Sequence, residues 1–202
     1  MQTILTFLTI LTLANPGEID VAKISVESCS RVKKKNMQSA LSIARKMLDV
    51  EKSMGVPKQF YGMSLAAACL ESGFNPRAKG DKRGKKYKAI GVLQLWPFYK
   101  RVYGTVRTDV VSSTASWLKH IMRMLPKVKK QCRYKSTERI WVAAWVTGIR
   151  YKKPGGRCKE KPLHYKQLKK IRKAINKQRK KYQQRGIPPV SPSKQQLKET
   201  TT

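Results

Sequence analysis

The chain has 202 residues, enough for one domain with tails or two small domains. An apolar fraction of 40% supports a true core, while 45 Lys+Arg against 11 Asp+Glu gives a formal net charge of +34. That charge draws polyanions by Coulomb attraction and counterion release, so nucleic acid, anionic cell-wall polymers and acidic membranes are the candidate partners. Only 2 histidines and 4 cysteines without a C-x-x-C pair argue against a zinc centre, and no metal site is expected.

Residues 1–14 read MQTILTFLTILTLA. The apolar run from Ile4 to Leu13 is too short to span a bilayer. Thr12-Leu13-Ala14 places small residues where a signal peptidase needs them, and Asn15-Pro16-Gly17 breaks any helix. This reads as a signal peptide without the usual basic start, and so as export to a periplasm or cell wall. Residues 15–35 lack periodicity and form an N-terminal arm, with a solvated basic run from Arg31 to Lys35.

From Asn36, a helix cap, Met37, Ala40, Leu41, Ala44, Met47 and Leu48 recur at helical spacing, and Gly55 ends that helix. Pro57 opens a second helix that runs to Ser72. It is apolar on nearly every side from Met63 to Leu70, as a helix buried on several faces must be. Glu71 lies in its last turn and Gly73 stops it. Arg77 to Lys88 reads as a long, basic, solvent-facing loop in which Asp81 is the only acid. After the short run Ala89 to Leu95, Pro97 starts a helix that Gly104 ends.

Thr108 or Asp109 caps the next helix, with Ala115, Leu118, Met122 and Leu125 inward and Pro126 closing it. Ser136 and Glu138 begin another, with Ile140, Ala143 and Ala144 inward and Gly148 at its end. Lys152 to Gly156 is a loop. Pro162 starts a basic rod with a thin apolar stripe of Leu168, Ile171, Ile175 and Tyr182. Residues 186–202 have no core-forming pattern and read as a disordered tail. No internal repeat occurs. The expected fold is mostly α, with little or no sheet, in a domain spanning 36–185.

Cys69 lies on the apolar helix and reads as a small buried hydrophobe. Cys132 and Cys158 flank the Trp141–Gly148 segment and are able to pair if the protein is exported.

The chemistry centres on Glu71. A carboxyl at the end of a buried helix is partly desolvated, which disfavours its charged form. A carboxylic acid kept protonated can donate to a glycosidic oxygen. Ordinary glycosidases add a second carboxylate as base or nucleophile. The next acids in sequence, Asp81 and Asp109, have no motif around them that argues for catalysis, so a one-carboxylate mechanism fits better. Ser72 has no histidine in a triad-like context and is not a nucleophile.

Glu71-Ser72-Gly73-Phe74-Asn75-Pro76, Ala78 and Gly91-Val92-Leu93-Gln94-Leu95 together resemble the soluble lytic transglycosylase domain of the goose-type lysozyme superfamily. Trp117-Leu118, Ala143-Ala144-Trp145-Val146-Thr147-Gly148 and His164-Tyr165 follow in the family's order, so the resemblance covers about residues 37–172. It implies a lysozyme-like helical domain with a cleft. The substrate would be the β-1,4 bond between N-acetylmuramic acid and N-acetylglucosamine in peptidoglycan glycan strands. By the same resemblance Glu71 is the catalytic acid and then the base, and 1,6-anhydro products form without cofactor or water. Ser72 would hydrogen-bond near Glu71 and orient it. Gln94 would hold the sugar N-acetyl group or the carboxylate's surroundings. Trp145 and Tyr165 would line the cleft as substrate-binding residues.

The family's Tyr-Asn is Trp145-Val146 here, so an amide is lost, and the loop from Arg77 to Lys88 is more basic than the pattern. The leading expectation is an exported, monomeric transglycosylase. Its basic surface would hold anionic wall polymers, and it would serve wall remodelling, a secretion or conjugation machinery, or phage entry. A degenerate module that binds wall polymer without cutting is the alternative. A nucleic-acid-binding protein, for which the basic helix 162–185 speaks, is a lesser one, since no nucleic-acid motif is present.

Overall fold

A computed structural model describes residues 20–84, 86–132, 136–147 and 162–184. The expected signal peptide, Gly148, Cys158, the loop at 152–156 and the tail at 186–202 lie outside the described residues. The described fold is mostly α, as expected, with one two-stranded sheet. Its elements are α1 (Val21–Glu27), α2 (Met37–Ser53), α3 (Met63–Ser72), β1 (Lys79–Arg83), β2 (Lys86–Ile90), α4 (Pro97–Tyr103), α5 (Val110–Cys132), α6 (Thr137–Thr147) and α7 (Pro162–Gln184).

Helix α3 is the centre of the molecule. Every residue from Met63 to Cys69 is buried, which is why this stretch carries no polar face. Helices α1, α2 and α7 pack around it, and α5 and α6 complete the core with Trp117, Leu118, Ile121 and Trp141. Burying a side chain such as Leu65 contributes about 1.5–3 kcal/mol. Trp141 stacks on Phe60 at 5.0 Å and meets Trp117 edge-on at 5.7 Å, so three aromatic rings seal the base of the core.

The structure departs from the sequence expectation in five places. First, the arm at 15–35 contains α1, capped by Asp20, with Ala22, Ser25, Val26 and Cys29 buried. Its apolar face is only two turns long, too short to register as a period. Second, the helix expected from Pro57 is split. Lys58–Phe60 forms one tight turn, Gly62 adopts φ +80, and α3 starts at Met63. Third, the expected loop from Arg77 to Lys88 folds as a hairpin, with Lys79 opposite Ile90 and Lys82 opposite Tyr87. β1 is mostly exposed and β2 fully buries only Ala89, so no apolar alternation marks them. Fourth, α5 continues through Pro126 to Cys132. Pro126 faces solvent while Leu125 and Val128 beside it are buried, so packing outweighs the missing backbone bond. Fifth, Cys69 is buried as expected, but it is disulfide-bonded to Cys29. Cys132 is disulfide-bonded too, whereas Cys158, its expected partner, lies outside the described residues. Smaller than these, the Asn36 side chain makes no capping bond, because a tight turn at Lys34–Asn36 leads directly into α2.

A carboxylate under the central helix sets where α3 begins. Glu51 is fully buried and accepts from the backbone N–H of Gly62 at 2.5 Å and of Ser64 at 3.0 Å. These are donors that a helix start leaves without a partner, and the helix dipole favours negative charge there. Burial pushes the Glu51 carboxyl up to about 6, against the pull of the hydrogen bonds from Ser64 and Gly62. On the other side of the molecule α4 packs on α5 through Phe98, Tyr99, Tyr103 and His120. Burial, with Arg123 adding to it, holds the His120 imidazole down at about 4. Its Nδ1 lies 3.2 Å from the Tyr103 hydroxyl, and burial pushes the Tyr99 phenol up.

Candidate active site

Glu71 occupies the last turn of α3, two residues past the buried run. Its side chain is 28% exposed, so it stands at a boundary between core and solvent. The helix ends there because Gly73 turns left-handed at φ +62, and Phe74 follows at φ +63 with its ring buried. A side chain at Gly73 would also meet the Arg31 carbonyl oxygen at 3.2 Å. Arg31 donates its guanidinium Nη1–H to the Leu70 carbonyl, one of those that a helix end leaves free. The Cys29–Cys69 disulfide fixes this turn to α3, so the N-terminal segment is part of the wall around Glu71.

Across from Glu71 stands α7. His164 Nε2 lies 3.6 Å from Glu71 Oε1, and the imidazole is 15% exposed. Its ring packs on Trp145 of α6 at 4.3 Å, and Trp145 meets Trp117 of α5 at 6.0 Å. Gln167 of α7 donates to the Cys69 sulfur at 3.3 Å, which fixes α7 against α3 one turn from the pair. A chain of ring contacts thus links α5 and α6 to the imidazole that faces Glu71.

Ser72 and Gln94 stand beside this group, but their polar atoms serve the backbone. Ser72 Oγ donates to the Val92 carbonyl at 2.7 Å and accepts from the Asn75 N–H at 3.1 Å. Ser72 thus hydrogen-bonds next to Glu71, clamping the end of α3 to the Gly91–Leu95 turn. Gln94, at φ +49, donates Nε2–H to the Gly91 and Ala78 carbonyls at 2.9 and 3.0 Å. A side chain at Gly80 would collide with Gln94 Oε1. The amide nitrogen of Gln94 is thus engaged at the hairpin base, and its Oε1 lies over Gly80.

Gly91 is what lets this turn close. Its φ is +88, and a Cβ there would stand 1.9 Å from the Arg107 carbonyl oxygen. Only a glycine fits both demands. Arg107 in turn donates Nη1–H to the Lys88 and Leu95 carbonyls at 2.9 and 3.0 Å. The glycine and the guanidinium together hold hairpin, turn and α4 as one platform.

The other expected residues divide. Trp145 is half-buried and touches His164, so it borders the site. Tyr165 is also half-buried, but its ring lies between the Arg139 guanidinium at 5.6 Å and the Lys169 ammonium at 5.9 Å. Those cations, rather than Glu71, are the polar groups it meets. The two acids considered as second carboxylates have other tasks. Asp81 accepts from Trp96 Nε1–H at 3.0 Å, and Asp109 caps α5 through the Ser112 N–H at 2.6 Å. Glu138 joins α6 to α7 through Arg172 at 2.8 Å. Burial raises its carboxyl, but the Ser136 hydroxyl, its own backbone N–H, Arg172 and Lys169 outweigh this and hold it below the usual range. Among the described residues no cluster of His, Cys, Asp and Glu is arranged to hold a metal ion.

Sequence reasoning missed His164 as a neighbour of Glu71. No local pattern reveals it, because 93 residues separate the two and only the packing of α7 on α3 joins them. Glu51 was missed as well, although a signal existed: it falls on the stripe of Ala44, Met47 and Leu48, where a charged residue signals a buried acid. Compared with known proteins, the chain matches no family model, no curated protein and no solved structure.

Proposed function

We propose that the chain is a peptidoglycan lytic transglycosylase in which Glu71 serves as the single acid and base. The observation that carries this reading is the setting of Glu71. It lies in the last turn of a helix buried from Met63 to Cys69, keeps 28% of its side chain in solvent, and faces an imidazole that packs on an indole. In the proposed reaction protonated Glu71 donates to the glycosidic oxygen as the C1–O4 bond breaks. The muramoyl 6-hydroxyl oxygen attacks C1 and gives its proton to the Glu71 carboxylate. Glu71 is thereby restored, no water is consumed and a 1,6-anhydro sugar is released. The commitment of Asp81 and Asp109 to structural hydrogen bonds favours one carboxylate over two.

Two further features support a setting at the cell wall. The buried Cys29–Cys69 bond suits an oxidising compartment, in keeping with export. Helix α7 exposes Lys166, Lys170, Lys173, Lys177 and Lys180 in one line, opposite buried Leu168 and Ile171. No acid interrupts α7 to neutralise that line, which fits retention on an anionic wall polymer.

A second reading is a module that binds the wall without cutting it. It is favoured by Val146 where the family pattern has Asn, and by the use of Ser72 and Gln94 in the fold. Incubating purified protein with peptidoglycan separates the two. Release of anhydro-muropeptides, lost in Glu71→Gln, supports the enzyme; wall binding without release supports the module.

A further inference from the structure

We propose that His164 is a positioning residue for Glu71: an imidazole that keeps its proton on Nε2, the ring nitrogen on the Glu71 side, and supports the Glu71 carboxylate as charge develops there. This rests on the transglycosylase reading for its use, but on geometry for the pair itself.

Three observations carry it. His164 Nε2 faces Glu71 Oε1 at 3.6 Å, just beyond hydrogen-bond reach. The other ring nitrogen, Nδ1, is buried and has no hydrogen-bond partner among the described residues. The ring packs on Trp145 at 4.3 Å.

These favour one tautomer. A proton on Nδ1 would be a buried donor without an acceptor among the described residues, which is unfavourable. The Nε2–H tautomer avoids this, and its donor is the ring nitrogen on the Glu71 side.

A donor at 3.6 Å interacts weakly with a protonated Glu71. Once Glu71 has given its proton to the glycosidic oxygen, it carries a negative charge, and the Nε2–H lies in line to close on it. Hydrogen bonds of this kind are often long before substrate binds and tighten as the reaction proceeds. An interaction stronger in the transition state than in the ground state accelerates the chemical step rather than binding. His164 keeps its own proton throughout. The proton that Glu71 loses goes to the leaving oxygen, and the one it regains comes from the 6-hydroxyl. An imidazole N–H thus supports the carboxylate from the helix opposite.

The test combines a measurement on the resting protein with a rate comparison. Imidazole ¹⁵N NMR at neutral pH should show His164 protonated on Nε2 and bare on Nδ1, with the Nε2 signal shifted by Glu71→Gln. In turnover on purified glycan, His164→Phe keeps a ring against Trp145 and removes the donor. It should lower the maximal rate about 10–100-fold, the loss typical of one preorganised donor at a partly exposed site, and leave glycan affinity unchanged. His164→Gln restores an N–H and should recover most of that loss. Thermal melts of both variants check that they fold.

A proton on Nδ1, or an Nε2 signal indifferent to Glu71→Gln, overturns the pair whatever the activity. A wild-type rate for His164→Phe, or an equal loss in a folded His164→Gln, overturns the positioning role. A wild-type protein that releases no muropeptides overturns both the proposed function and the catalytic use of His164. The NMR result then still decides whether the pair exists.

Discussion

Substituting Gln for Glu51 removes a buried titrating group from beneath the helix that carries Glu71. The Glu51 carboxyl stands at about 6 in the folded protein against 4.5 for the free side chain. Below pH 4.5 it is protonated in both folded and unfolded chains. Between 4.5 and 6 the folded protein holds a proton that the unfolded chain has released. The stabilisation is therefore fully present below 4.5 and lost as pH rises through 6, an amplitude of about 2 kcal/mol. Burial of the charge is the cause, so the loss should appear in the wild type and vanish in Glu51→Gln. Urea denaturation of both proteins from pH 4 to 7.5 measures this as a difference between two curves. The difference is needed because His120 titrates across the same range with the opposite slope. Glu51→Ala adds a second check: the N–H groups of Gly62 and Ser64 lose their acceptor, at about 1–3 kcal/mol each. Wild-type and Glu51→Gln curves that run parallel from pH 4 to 7.5 would refute the reasoning.

Three further outcomes follow from the same geometry. His120 stands at about 4 folded against 6.5 free, so its contribution is present above 6.5 and lost as pH falls towards 4; His120→Asn should flatten that limb by up to about 3 kcal/mol, read from acid-range urea melts. Gly91→Ala forces a Cβ to 1.9 Å from the Arg107 carbonyl at a φ of +88 and should cost about 2–4 kcal/mol, with hydrogen exchange accelerated first at the Gly91 and Gln94 amides; a melt within 0.5 kcal/mol of wild type would contradict it. Replacing Cys29 and Cys69 together by Ser opens a loop with a sequence separation of 40 residues and should lower stability by about 2–4 kcal/mol, with protease cleavage appearing first before α2.

Sequence periodicity disclosed the elements whose burial is one-sided or complete. The helix around Ala44 and Met47 shows a stripe, and α3 shows a solid apolar block, so both were legible, as were the stops at Gly73 and Gly104. Elements held by sparse or long-range contacts were not. The hairpin fully buries only Ala89 and is held by Gln94, Gly91 and Arg107, residues that lie after it in sequence. Helix α1 buries only Ala22, Ser25 and Val26, and needs the Cys29–Cys69 bond to stay in place. The site followed the same rule. Glu71 was readable because a carboxylate ends an apolar run. The tasks of Ser72 and Gln94 were not, since a side chain that bonds backbone carbonyls and one that bonds substrate are the same residue in a sequence. His164 depends on α7 meeting α3, which no local window contains.

The central claim is that Glu71 alone carries a cleavage that needs no water. Mass spectrometry of the soluble products from purified peptidoglycan tests it most directly. The account predicts muropeptides ending in 1,6-anhydro sugars, and none from a folded Glu71→Gln variant. Products with reducing ends would show that water attacks instead, and release that persists in Glu71→Gln would place the chemistry elsewhere in the molecule.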